Sequence, residues 1–381
     1  MAGQVPHRSA DACQHYQRFE ADFDLAQSFG HNAHRFSIEW SRVEPQEGQW
    51  DEAAFEHYGQ VIAALQARGI EPILTLHHFT NPVWFAARGG WANADSVALF
   101  RRYVDQVMTR FGSRVRYWIT INEPTVYVKR AYVAGSWPPC AKGQWRLAAR
   151  VLRNMCRAHR EAYAVIHLRR PDAMVGIAHS APHVEARNPA NPANRLVAWL
   201  RNFVLNRWVF RMLRGQSLLT LDFIGINYYA RELVRWHWRG LAPVFGVEDR
   251  ESLAGEVRRF SSLGWEMHPP GLTAVLREFS RYRLPLLVTE NGIATDDENL
   301  RSEYLQTHLA ALAEAVGEGI DVRGYCYWSL MDNFEWAEGF NARFGLAAVD
   351  FQTQQRTPRP AATLYAQVCR DNAIRETASR R

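Results

Sequence analysis

The chain has 381 residues, 47% of them hydrophobic and 12% aromatic, enough to bury a large core, and a formal net charge of +6. That charge is the balance of 45 basic against 39 acidic residues, with Lys129 and Lys142 the only lysines and the arginines scattered, which excludes the concentrated basic face that nucleic-acid binding needs. No apolar run reaches the ~18 residues of a membrane span, residues 1–20 hold no apolar signal core, and five cysteines without a Cys-x-x-Cys pair argue against a disulfide framework or a zinc site, so a soluble cytoplasmic protein is expected.

Residues 1–16 read as an irregular segment. The first strand-like run is Ala33–Ile38, followed by a helical stripe on Phe55, Val61, Ile62 and Leu65 and a second run at Pro72–His77. Phe100, Tyr103, Val104, Val107, Met108 and Phe111 then fall on one helical face, ahead of a third run at Tyr117–Glu123. Further runs follow at Met174–Ser180, Phe223–Tyr229, Leu286–Asn291 and Gly324–Leu330, with a helical stripe at Tyr304, Leu305, His308, Leu309 and Leu312 before the last. Asn188–Asn194, with two prolines, reads as a surface loop, and the Arg-rich end at 374–381 as a solvated tail. Strands alternating with helices predict an α/β fold with a parallel sheet, and no Gly/Ser/Pro linker divides the chain, so residues 1–381 are expected to form one domain. Seven strands are countable, whereas a closed (β/α)8 TIM barrel has eight, so the barrel is expected to be incomplete by one strand.

Two of the runs end in a carboxylate followed at once by a strand-breaking residue: Ile119-Thr120-Ile121-Asn122-Glu123-Pro124 and Leu287-Val288-Thr289-Glu290-Asn291-Gly292. That pattern places Glu123 and Glu290 at the carboxyl-terminal tips of buried strands, where parallel α/β proteins build their sites. Either residue alone reads equally as a neighbour of a helix cap or as an ion-pair partner. Together, at one rim of a barrel, they are the pair that glycosidic bond cleavage needs. Arg35 lies within the first strand, where a buried guanidinium is costly unless it faces a carboxylate. Asn122 precedes Glu123 and can donate to a substrate hydroxyl, and Tyr229 ends a strand where a phenol can reach a carboxylate. His78 reads either as a ligand-facing residue or as a packed core histidine. Fourteen tryptophans suit a sugar-binding cleft, although most large aromatics are core residues. With no metal-ligand cluster of suitable spacing and no Gly-rich phosphate loop, neither a metal nor a nucleotide cofactor is expected.

The chain resembles the family 1 glycoside hydrolases, the β-glucosidase group of retaining enzymes on a (β/α)8 barrel, from about Asp11 to about Ala373. Tyr117–Pro124 is similar to that family's acid/base segment, Thr289–Gly292 to its nucleophile segment, and Tyr327–Phe340 to its sugar-binding segment. The resemblance implies that Glu290 is the nucleophile and Glu123 the general acid and then the general base, with their carboxyls ~5–5.5 Å apart. It implies that Arg35, Tyr229 and Asn227 orient Glu290 and hold it as a carboxylate, whose charge in turn keeps the proton on Glu123 until the nucleophile is esterified. His78, Phe79, Asn122, Trp328, Glu335, Trp336 and Phe344 would bind the sugar, with Trp328 as the platform and an anionic Glu335 accepting from hydroxyls at carbons 4 and 6. The implied substrate is a small β-glucoside or oligosaccharide, with galactosides and fucosides also in reach. The implied protein needs no cofactor, nucleic acid or membrane, and its oligomeric state is open.

Two departures from the family pattern bear on activity. Phe79 stands where the family has Trp, which removes one indole donor. Nothing in residues 1–16 has the length or apolarity of the family's first strand, whose Gln binds the sugar; Gln4 lacks that context. Upstream in-frame codons supplying that strand are the expected explanation; the alternatives are a truncated descendant with weakened activity, or another element that closes the gap. The rival readings are a catalytically impaired sugar-binding relic of the fold and a transglycosylase using the same carboxylates. The aglycone subsite is expected on loops such as 134–143, with Trp137, and 231–264, with Trp236 and Trp238.

Overall fold

A computed structural model describes residues 8–214, 220–238, 246–250 and 257–374. Gln4 and the tail beyond Ile374 therefore lie outside the described residues, as does part of the 231–264 loop. The chain divides into two compact units, one comprising residues 33–180 and 207–226, the other residues 1–32, 181–206 and 227–381.

In the unit built on residues 33–180 and 207–226, the strands are β1 (Ala33–Ser37), β2 (Glu71–Thr75), β3 (Tyr117–Asn122) and β4 (Met174–Ser180). They pair in parallel in that order, and β6 (Ile224–Asn227) lies beside β4. Residues of β3 from Trp118 onward are fully buried, as expected for an apolar, β-branched strand in a parallel sheet. Gly176 in β4 allows the close approach of the next segment, because a Cβ there would stand 2.8 Å from the Phe223 carbonyl oxygen. The stripe expected around residue 100 is the helix Ser96–Phe111, which buries Leu99, Phe100, Tyr103, Val104, Val107, Met108 and Phe111. Beneath it, Trp40 stacks on Tyr103 with ring centroids 4.9 Å apart, and the Tyr103 hydroxyl donates to the Leu76 carbonyl.

The other unit begins with the helix His15–Ser28; among described residues 8–32 there is no strand. Its parallel pair is β9 (Leu286–Asn291) with β10 (Val322–Tyr327), and every residue of β9 is buried. A small sheet of β5 (His183–Ala186), β7 (Arg231–Arg235) and β8 (Val247–Glu248) stands apart from it, and β11 (Ala347–Val349) pairs antiparallel with β12 (Arg356–Pro358). The expected loop at 188–194 is only half a loop: Pro192 is the first residue of the helix Pro192–Asn202, and the Asn191 side chain accepts from the Ala193 and Asn194 amides. Asn-Pro at this point is an N-cap followed by a proline at the first helical position, a start signal with the composition of a turn.

The candidate active site

In the first unit, β3 ends where Glu123 takes a left-handed conformation, φ 43°, and Pro124 opens the short helix Pro124–Val128. The Glu123 amide still donates to the Ala178 carbonyl at 2.7 Å, so the backbone stays tied to β4 while the side chain leaves the pleat. Glu123 is buried, 8% exposed. Beside it, the fully buried Asn122 joins two other candidates: its Oδ1 accepts from Arg35 Nη2 at 2.6 Å, and its Nδ2 stands 3.1 Å from His78 Nε2. Donation from the Asn122 amide makes His78 Nε2 the acceptor and leaves the ring proton on Nδ1. Burial, then the Arg35 charge and His77, hold His78 well below the usual imidazole range, so it is neutral at physiological pH. Arg35 is anchored a second time through Nε to Thr75 Oγ1 at 3.1 Å. Phe79 follows at φ 74°, buried, with its ring 4.7 Å from that of Trp137.

The second unit carries the other carboxylate. Glu290 sits in β9, 4% exposed, and its Oε2 accepts a 2.7 Å hydrogen bond from the Tyr229 phenol. Its backbone carbonyl accepts from the Tyr228 amide at 2.9 Å. Asn227 Oδ1 accepts from Thr289 Oγ1 at 2.6 Å, so it fixes the residue next to Glu290. On the other side, Asn291 is held by three groups: its Nδ2 donates to the Tyr228 carbonyl at 2.6 Å and to Tyr304 Oη at 2.8 Å, while its Oδ1 accepts from Tyr325 Oη at 2.7 Å. Gly292 completes the turn, since a Cβ there would fall 2.0 Å from the Trp328 carbonyl oxygen.

The segment after β10 brings Trp328, Glu335 and Phe344 to this strand end. Trp328 Nε1 donates to Glu335 Oε2 at 3.3 Å. Trp328 and Trp336 are half-buried, whereas Phe344 is 2% exposed and packs on Tyr229 and Trp265. Burial, and then the charge of Glu290, push the Glu335 carboxyl up to about 8. Against the expectation of an anionic Glu335, both influences favour its protonated form, so it holds a proton more tightly than an ordinary carboxyl.

Three contributors carried no signal in the sequence reading. Trp265 backs Tyr229 with ring centroids 5.2 Å apart. Asp332, 1% exposed, accepts from both Arg359 guanidinium nitrogens, each at 2.9 Å, and from the Gly345 amide at 2.9 Å, which pins the loop bearing the aromatic residues. Asp332 lies inside the sugar-binding segment and could have been picked out there; Arg359 and Trp265 lie outside every motif.

The glycosyl hydrolase family 1 model matches residues 4–217 and 216–374. The chain belongs to glycosyl hydrolase family 1. It is 31% identical to β-glucosidase A of Thermotoga maritima over 96% of this chain and 88% of that protein, and 31% identical to a β-galactosidase of Sulfolobus acidocaldarius over 99% of this chain and 87% of that one. Among solved structures, a β-glycosidase from Pyrococcus horikoshii superposes with a TM-score of 0.90 at 37% identity, covering 97% of this chain and 88% of its own. The family 1 chain is thus an O-glycosyl hydrolase of the α/β TIM-barrel class expected from its sequence. No helix among the described residues is long and apolar enough to cross a membrane.

Proposed function

We propose that this family 1 chain hydrolyses β-linked glucosides with retention, through a covalent glycosyl-enzyme. In the first step the Glu290 carboxylate attacks the anomeric carbon, the bond to the leaving oxygen breaks, and Glu123 gives that oxygen its proton. In the second step Glu123 takes a proton from water, whose oxygen displaces the Glu290 ester and restores both carboxyls. Arg35, Asn227 and Tyr229 serve as positioning residues for the nucleophile. His78, Asn122, Glu335, Trp328 and Trp336 bind the sugar, with Phe79 and Phe344 shaping the apolar walls. A galactosidase among the relatives supports extending the substrate class to β-galactosides. None of the five cysteines is in a disulfide, which supports a reducing compartment, and we assign the protein to the cytoplasm.

The observation that carries this reading is the buried Glu290 at a strand end, receiving the Tyr229 phenol inside a family 1 chain. The deciding experiment is turnover of an aryl β-glucoside by the wild type and by Glu290→Gly. The variant is expected to be inactive and to recover in added azide or formate, with azide giving the inverted glycosyl azide. Wild-type rates in Glu290→Gly overturn the assignment, and a folded wild type that binds the sugar without hydrolysing it supports the relic reading instead.

A further inference from the structure

Away from the carboxylates just described, the small sheet of β5 and β7 assembles a group of residues that no spacing motif in the sequence announces. His183 and Glu185, two apart on β5, share one face of the strand. His268, at the cap position of the helix Pro269–Ser280, joins them. One ligand atom from each of the three lies within 4.8 Å of the other two, and among the described residues no other cluster of three or more such groups has this geometry. His183 Nε2 stands 3.0 Å from Glu185 Oε1, and the two imidazoles lie parallel, centroids 5.8 Å apart with 7° between their planes. We propose that His183, Glu185 and His268 form a binding site for a divalent late first-row transition metal, with Zn²⁺ the best fit.

The donor chemistry selects that class of ion. Two imidazole nitrogens and one carboxylate oxygen are borderline ligands that suit zinc and its neighbours, and they are poor ligands for calcium or magnesium, which take all-oxygen sites. Around tetrahedral zinc, with bonds of ~2.0–2.2 Å, ligand atoms stand roughly 3.3–3.5 Å apart. Ligand atoms within 4.8 Å of one another stand within about 1.5 Å of that spacing. All three residues are half-exposed, so water has access to the fourth position.

The surroundings supply the supports that a metal site needs. Arg231 Nη1 donates to the other Glu185 oxygen, Oε2, at 3.2 Å, which turns Oε1 toward the histidines. Arg231 shares the buried Glu266 with Arg258: Arg231 reaches it through Nε at 3.1 Å and Nη2 at 2.5 Å, Arg258 through Nε at 2.8 Å and Nη2 at 2.7 Å, and Glu185 is the second carboxylate that balances the pair. The His268 backbone is held by the Tyr228 phenol, which donates to its carbonyl at 2.6 Å, and its ring makes no capping bond to the helix it precedes. An ion bound here ties β5 to the start of the helix Pro269–Ser280, two segments far apart in sequence, and acts as a structural clip.

The test uses the full chain without a histidine tag, stripped with EDTA and dialysed, and titrated calorimetrically with ZnCl₂. The wild type is expected to bind one equivalent in the micromolar range or tighter, with a rise of several degrees in melting temperature. His268→Gln and Glu185→Gln are each expected to weaken binding at least tenfold and to lose the zinc-dependent rise. Because the variants are compared with the wild type in EDTA as well, a folding defect would show as a lower melting temperature without metal. Co²⁺ substitution is expected to give visible d–d bands without a thiolate charge-transfer band. The proposal is overturned if the wild type takes up no zinc at 100-fold excess, if both variants bind as tightly as the wild type, or if a thiolate band places the ion on a cysteine.

Discussion

The Tyr229 phenol stands 2.7 Å from Oε2 of Glu290, and its ring is held from behind by Trp265 and Phe344. The aromatic backing means the hydroxyl needs no reorganisation to reach the carboxylate. A hydrogen bond to a charged acceptor is worth about 1.5–3 kcal/mol. Tyr229→Phe keeps the ring contacts and deletes the donor, so kcat/KM for an aryl β-glucoside is expected to fall about 10- to 100-fold, with little change in melting temperature. A kcat/KM within twofold of wild type would show that the bond has no part in positioning the nucleophile.

Glu123 lies at the other chemically distinct strand end, with its backbone turned out of β3 at φ 43°. If it protonates the leaving oxygen, its removal hurts in proportion to how much help that oxygen needs. Glu123→Gln is expected to lower the glycosylation rate by about 10²–10⁴ for an alkyl or methoxyphenyl β-glucoside. With a dinitrophenyl leaving group, which departs unprotonated, that step should change little. Pre-steady-state rates across a series of phenols measure this directly. An equal loss for every leaving group would remove Glu123 from the acid role.

Much of this was readable in the amino-acid order because the relevant elements are extreme in composition. The runs Tyr117–Glu123 and Leu286–Asn291 are rich in apolar and β-branched residues around an acidic end, and the strands β3 and β9 fall on them to within a residue. The helix Ser96–Phe111 has a single clean apolar stripe. Other elements lacked such a signature. β5, His-Val-Glu-Ala, alternates polar and apolar over only four residues, too few to separate from a loop. The helix Pro192–Asn202 hides its start in a turn-like Asn-Pro. The Asp332–Arg359 pair and the Trp265–Tyr229 contact join residues with no periodic relation, so only tertiary structure reveals them. The upward shift of Glu335 was not legible, because motif position carries no information about burial or about the nearby Glu290.

That shift leads to a pH prediction. A carboxyl raised from the usual range to about 8 in the folded state binds its proton more tightly there than in the unfolded chain. Its contribution to stability is therefore fully present below about pH 4.5 and is lost progressively as pH rises through about 8. Glu335→Gln, which mimics the protonated form permanently, is expected to raise the melting temperature at pH 8 relative to wild type and to have little effect at pH 5. The same substitution is expected to raise KM for the glucoside, because an amide nitrogen that can only donate replaces a hydroxyl oxygen that could also accept from a ring hydroxyl. An identical change in melting temperature at both pH values would refute the elevated Glu335.

Asp332 tests whether the loop bearing the aromatic residues has to be held in place for the sugar to bind. Both of its oxygens are engaged by Arg359, and Oδ1 also takes the Gly345 amide. Asp332→Asn conserves shape while turning an acceptor into a donor that faces a guanidinium and removing the charge that balances it. Breaking one partner of a buried ion pair costs about 3–5 kcal/mol, because the remaining charge stays desolvated. Part of that is offset here, since Arg359 Nε also reaches Glu298 Oε1 at 2.9 Å. A melting temperature lower by several degrees is expected. The effect on catalysis should be selective: Asp332 touches the loop carrying Trp328 and Glu335 and not Glu290, so KM is expected to rise more than kcat falls. Arg359→Met should reproduce both effects, and combining the two substitutions should cost less than their sum, as a double-mutant cycle for a direct pair requires. Additive losses, or a fall in kcat at unchanged KM, would mean that Asp332 acts on the chemistry by some route other than holding that loop.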